Sequence, residues 1–216
     1  GRSWDRHRRA RPLPGRNKKR QGMVFLKSMT RPEVAQLVRG RGVYLRGPMM
    51  SDYGEWAELR TRSRAFLTPW EPTWPADDLT RAAFRRRLRR YMRDVREDAA
   101  YPFFIFRAED DALVGGCTIS NVQRGVQQSC ALGYWAGEPY AGNGYVTAAV
   151  KALMPFVFDE LRLHRVQAAC LINNERSKAV LRKCGFKEEG IAREYLKING
   201  QWHDHAVFAL LSGDPR

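Results

Sequence analysis

From Gly42 onward the apolar and polar positions of this chain fall into regular periods. Val43 and Leu45 precede a Gly47-Pro48 break, the pattern of a short strand. Ser51 and Asp52 are capping types, and the helix they open carries Trp56, Leu59 and Arg60 to about Ala65. Three prolines interrupt the next stretch, Phe66-Leu67-Thr68-Pro69-Trp70-Glu71-Pro72-Thr73-Trp74-Pro75, so it reads as a loop with two tryptophans. Asp77 and Asp78 open a second helix reaching about Asp98. Its apolar residues Leu79, Ala83, Phe84, Leu88, Tyr91, Met92 and Val95 recur at three- and four-residue spacing. Arginines fill the remaining positions of that helix.

Strands over 103–108, 112–120 and 127–136 follow, with turns at Asp110-Asp111 and Arg124-Gly125, which predicts an antiparallel meander. A helix over 144–161, a strand over 166–172 and a helix over 175–184 ending at Gly185 come next. Two strands, 191–198 and 201–210, flank Asn199-Gly200, a strong hairpin signal. The sum is a mixed α/β domain with a mostly antiparallel, seven-stranded sheet over 41–216, behind a basic segment at 1–40.

That segment is where composition changes the picture. Of the net charge of +15, ten basic residues lie between Arg2 and Lys27 against one acid, Asp5. With Pro, Gly and Asn and no periodicity, it reads as a flexible tail, either a solvated extension or a contact for RNA such as ribosomal RNA. At 216 residues and 44% hydrophobic, the remainder is long enough for a full core. Nothing approaches the roughly 18 apolar residues of a membrane span, and no apolar stretch follows the basic start, so a cytoplasmic protein without membrane contact is expected. Cys117, Cys130, Cys170 and Cys184 are widely spaced, with no His at ligand spacing; they read as reduced thiols, and no metal is expected.

The candidate chemistry lies in Leu132-Gly133-Tyr134-Trp135-Ala136 and Tyr140-Ala141-Gly142-Asn143-Gly144-Tyr145. A strand leads into a loop with alternate glycines and a helix starts at once. Such a junction aims unpaired amides at one point, at the positive end of the helix, where a pyrophosphate can sit. The loop has neither the Gly-Lys-Ser/Thr of a P-loop nor a third glycine at dinucleotide spacing. About thirty residues on, Asn173-Asn174-Glu175-Arg176-Ser177 opens the helix that exits at Gly185-Phe186.

Taken together, the glycine loop, Asn174-x-x-Ser177, Gly185-Phe186, the Asn199-Gly200 hairpin with Trp202 and Asp204, and the Ser63–Pro72 segment resemble the GNAT acetyltransferase superfamily, in its RimJ/RimL-type branch of ribosomal-protein N-terminal acetyltransferases. Pro139 departs from the Arg or Gln that many superfamily members carry there. The resemblance implies a sheet splayed between parallel central strands and acetyl-coenzyme A as cosubstrate. It implies cofactor contacts from Leu132, Tyr134, Trp135, Gly142, Asn143, Gly144, Tyr145, Asn174 and Ser177. Ser177 is the expected proton donor to the thiolate and Glu194 the expected base, with Glu71 and His203 as rivals. Trp70, Glu71 and Trp135 are the expected acceptor-site residues. The expected acceptor is the N-terminal α-amine, alanine first, of a ribosomal protein. A small amine (antibiotic, polyamine or amino acid) and a ribosome- or RNA-binding role are the alternatives, and the protein is expected as a monomer or homodimer.

Overall fold

The computed structural model describes residues 37–215, so the basic segment up to residue 36 lies outside the described residues, and with it most of the expected flexible tail. The chain forms β1 (Val38–Gly40), β2 (Val43–Arg46), α1 (Tyr53–Arg62), α2 (Arg64–Leu67), α3 (Arg81–Arg96), β3 (Tyr101–Arg107), β4 (Leu113–Gln123) and β5 (Ser129–Ala136). It continues with α4 (Tyr145–Pro155), β6 (Arg165–Leu171), α5 (Glu175–Lys183), β7 (Lys187–Ile198) and β8 (Gln201–Leu211). One sheet has the order β1-β2-β3-β4-β5-β6-β8-β7, antiparallel throughout except where β5 meets β6. It has eight strands, not the seven expected. The extra one is β1, only three residues long, which folds back on β2 with Val38 opposite Leu45 and begins inside the segment read as tail.

The sheet is covered on both faces, and β3 shows why. Along it, Phe103 and Ile105 point into the larger core with α4, while Phe104 and Phe106 point into a second core with Trp56, Leu59 and Phe84 from α1 and α3. A strand buried on both faces reads as a continuous apolar run rather than an alternating one. Phe84 is fully buried, its ring 4.8 Å from Trp56 and 5.7 Å from Tyr53.

Three helix boundaries differ from expectation. α3 starts at Arg81, because Thr80 is its cap and accepts from the Ala83 amide. Asp77 and Asp78 precede the helix and pair with Arg86 and Arg87 instead. The first helix breaks at Ser63, which is fully buried and accepts a 2.8 Å hydrogen bond from the Glu138 amide. The helix expected to reach Leu161 holds α geometry to Pro155 and then widens into one π turn, Phe156–Glu160. Among the described residues no helix is long and apolar enough to cross a membrane.

Replacing Phe84 with alanine should cost about 3–5 kcal/mol of stability, through lost burial plus the cavity left among Trp56, Tyr53 and Phe104. Urea unfolding monitored by tryptophan fluorescence measures this, and a loss under about 1 kcal/mol would contradict the packing described.

Candidate active site

β5 and β6 share a parallel ladder only at residues 129–131 against 165–167. Beyond it β5 still pairs with β4 as far as Ala136, and β6 with β8 as far as Leu171, but no longer with each other. The parting leaves one edge of β5, residues 132–136, without a strand partner. Side chains alternate along it: Leu132 is buried in the core with α4, Tyr134 packs on the same core, and Trp135 packs on the opposite core with α1.

Tyr134 closes the far side of the gap. Its hydroxyl lies 2.7 Å from Ser177 Oγ and donates to the Ser177 carbonyl at 3.2 Å. Burial pushes the Tyr134 phenol well above its ordinary value, although the bond to Ser177 works the other way, so it stays protonated across the physiological range. Ser177 is placed by the start of α5: Asn174 is the cap and accepts from the Ser177 amide at 3.1 Å. The predicted Asn174–Ser177 pair is therefore one built unit at the end of β6, with Tyr134 delivered to it from β5. Cys170 lies beside them; burial raises its thiol, and a hydrogen bond with Ser177 partly offsets the rise.

The glycine loop supplies the other half of the site. Gly142 (φ 82°) and Gly144 (φ 81°) both adopt left-handed backbone, and a Cβ at either would meet nothing within 4 Å. Only glycine takes that conformation freely, and the space in front is open. Gly144 is the residue before α4, so the amides of Tyr145 and Val146 lack intrahelical acceptors. The amides of Gly142, Asn143 and Gly144 make no backbone hydrogen bond among the described residues. Asn143 is exposed. The cradle fits the pyrophosphate of a coenzyme A: several free donors, a helix N-terminus and room for a bulky anion. Among the described residues no group of three or more His, Cys, Asp or Glu side chains could hold a metal ion.

The acceptor-side residues have a different organisation. Glu71 forms a forked pair with Arg60, at 2.8 and 2.7 Å, and also accepts from Trp74 Nε1 at 2.7 Å. Arg60 is buried and its guanidinium lies 4.1 Å from the Trp74 ring and 4.9 Å from the Trp135 ring, while its Nε has no hydrogen-bond partner among the described residues. Trp135 presses on bare backbone from behind: a Cβ on Gly116 would stand 2.6 Å from its Nε1. The Glu71 carbonyl accepts from the Asn199 amide at 2.9 Å, joining the Pro-Trp loop to the β7–β8 hairpin tip. Arg176, next to Ser177, lies over Phe66 of α2. Trp70, at 37% exposure, is the loop tryptophan left open.

Arg60 was absent from the expected site, yet its position is legible. It falls on the buried face of α1 with Trp56, Leu59 and Ser63, where a charge requires a partner. Glu194 stands exposed in a bulge of β7 between Ala192 and Leu196, with φ 44° and its amide on Asp204. His203 is half-buried, and its carbonyl accepts from Nδ1 of His205, a buried imidazole the sequence reading passed over.

Cutting Glu71 to alanine strands the buried guanidinium and should cost about 3 kcal/mol or more. Glu194→Gln, at an exposed position, should stay within about 0.5 kcal/mol of wild type. Chemical denaturation of the two variants side by side is the check; equal stabilities would mean the Arg60–Glu71 pair does not hold the loop.

Residues 43–187 match the acetyltransferase (GNAT) domain family. The chain is 35% identical over 178 residues to the Bacillus subtilis (strain 168) "Probable N-acetyltransferase YjcK", covering 82% of this chain and 98% of that protein. It is 32% identical over 168 residues to the Escherichia coli (strain K12) [ribosomal protein uS5]-alanine N-acetyltransferase, covering 77% of this chain and 87% of that one. Among solved structures, Mycobacterium smegmatis RimJ in complex with CoA-disulfide superposes with a TM-score of 0.76 at 31% identity, covering 82% of this chain and 86% of that one. The parted strands, the glycine cradle and these similarities agree: the chain belongs to the GNAT acetyltransferase family, in its RimJ/RimL-type branch, and is an N-acetyltransferase.

Proposed function

We propose that the protein transfers an acetyl group from acetyl-coenzyme A to the N-terminal α-amine, alanine first, of a ribosomal protein, by direct attack with both substrates bound. The observation that carries this is the Tyr134–Ser177 pair set across the β5/β6 gap, one strand end away from the glycine cradle. Acetyl-coenzyme A supplies the acetyl group as a thioester, which the amine attacks while the thiol leaves.

In this reading the amides of Gly142, Asn143, Gly144 and Tyr145 hold the pyrophosphate. The free edge of β5 from Leu132 to Trp135 offers backbone pairing to the pantetheine arm, and Asn174 orders the turn beside it. Ser177 donates a proton to the departing sulfur, and Tyr134, kept protonated by burial, can re-supply Ser177 Oγ along their 2.7 Å bond. The acceptor α-amine has a reference pKa of about 8 against about 10.4 for lysine, so it needs little help to become a nucleophile. Glu194 serves as the base, its exposed carboxylate passing the proton straight to solvent. Trp70, Glu71 and Trp135 shape the acceptor side.

Two features favour a peptide α-amine over a small polycation. The E. coli and M. smegmatis proteins described above belong to the ribosomal-protein and RimJ group. Glu71, the carboxylate at the centre of the acceptor loop, is already neutralised by Arg60, so it offers no uncompensated charge to a polyamine.

Steady-state thiol release tests the reading with an alanine-starting ribosomal-protein peptide, the same peptide with a blocked α-amine, and a polyamine. Turnover is expected on the free α-amine alone; turnover only on the polyamine would overturn it. Ser177→Ala should lower kcat by at least about tenfold at unchanged cofactor Kd, whereas Gly142→Asp should abolish cofactor binding in a protein that still unfolds cooperatively. Glu194→Gln should lower kcat/KM by at least about tenfold; an unchanged kcat/KM excludes Glu194 as the base.

A further inference from the structure

We infer that the outward face of α3 is a docking surface for the phosphate backbone of structured RNA. The helix holds sixteen residues, eight of them arginine and none lysine. At 100° per residue, Phe84, Leu88, Tyr91 and Val95 cluster on the face packed toward the sheet. The opposite half carries Arg81, Arg85, Arg86, Arg89, Arg90, Arg93 and Arg96, interrupted only by Ala82 and Met92, and every one of these is exposed. The helix's single acid, Asp94, lies outside that arc.

Neighbouring acids neutralise only part of the array. Arg86 is paired with Asp77, and Arg93 lies 3.5 Å from Asp94. Arg87, at the edge of the arc, is taken up by Asp78. Arg81 and Arg90 lie over the rings of Tyr53 and Tyr91 rather than on carboxylates. Arg85 and Arg89 have no acid partner among the described residues. The result is a cationic strip about 24 Å long, from sixteen residues at 1.5 Å rise.

The composition of the strip selects the partner. A protein interface needs an apolar centre to bind well, and this face offers only Met92 and Ala82. A phosphate backbone needs no such centre. It is met by a row of guanidiniums, each able to fork onto phosphate oxygens, with affinity supplied by released counterions. Choosing RNA over DNA rests on the proposed function, since a ribosomal protein's terminus lies beside RNA. The strip is also coupled to the acceptor loop. Arg86 and Arg87 grip Asp77 and Asp78 at the loop's end, and the Tyr53 hydroxyl donates to the Leu79 carbonyl. RNA held on α3 would therefore present its attached protein near the Pro-Trp loop.

The test uses the full chain and a fluorescein-labelled RNA hairpin, read by anisotropy across a salt series. Beside it run a DNA hairpin of matched sequence and poly-glutamate as competitors. The triple variant Arg85→Gln, Arg89→Gln, Arg93→Gln should bind RNA about tenfold more weakly at physiological salt, with a log–log salt slope shallower by about two to three units. Wild-type affinity and slope in the variant would overturn the proposal, as would poly-glutamate competing as well as RNA; the DNA hairpin, which offers the same phosphates, should compete through the same arginines. Acetyl transfer to the free alanine peptide, followed in parallel, should be unchanged in the variant; its loss would overturn a role confined to docking. Failure of the wild-type protein to acetylate that peptide sinks the catalytic reading and with it the choice of RNA over DNA, but not phosphate docking on α3, because the binding assay does not depend on turnover.

Discussion

Everything at the candidate active site follows from how briefly β5 and β6 stay together. Three residues of parallel ladder join the two halves of the sheet, and then the strands separate. Had the ladder continued, residues 132–136 would have spent their outer amides and carbonyls on β6, leaving no backbone for a ligand. The gap is stable because each side is committed elsewhere: β5 to β4, and β6 to β8 through seven consecutive pairs. Tyr134 then spans the opening with the contacts of its hydroxyl to Ser177 in place of a ladder.

The glycine cradle depends on the same constraint. Ser63, at the break between α1 and α2, accepts from the Glu138 amide just after β5 ends. That bond fixes the path by which the chain leaves the strand and approaches Gly142. The helix break thus has a purpose in packing: a continuous α1 would carry a helical Ser63 whose hydroxyl could turn back on its own backbone. The approach to the glycine loop and the Pro-Trp loop are both held from α1 and its C-terminal cap, the first through Ser63 and the second through Arg60.

Much of this was legible in the sequence. The meander of β3, β4 and β5, the Asn174 cap with Ser177 one turn on, and the Asn199-Gly200 hairpin rest on local chemistry: turn residues, caps and periodicity. So did the glycine loop, since left-handed backbone at Gly142 and Gly144 is what an alternate-glycine turn before a helix calls for. What escaped depends on long-range partners. β1 has too few residues to show a period and exists because β2 offers it an edge. Asp77 and Asp78 look like caps, but arginines nine residues on draw their carboxylates away, and Thr80 takes the capping place. Glu71 looked like a free carboxylate because nothing local reveals that Arg60, eleven residues earlier, is forced inward by the helix face it occupies. The bulge that puts Glu194 at positive φ has no sequence signal, because glutamate is an unusual residue for that conformation.

The backbone bond between Glu71 and Asn199 has a bearing on how this scaffold can be altered. A hairpin tip is ordinarily where a protein accepts extra residues, an inserted tag or a new chain end. Here the tip's own amide is engaged by a loop far away in sequence, and Thr73 lies 3.9 Å from where a side chain on Gly200 would begin. Lengthening this turn would pull the hairpin off the Pro-Trp loop, so grafting and permutation are better directed to Val126, in the exposed turn between β4 and β5.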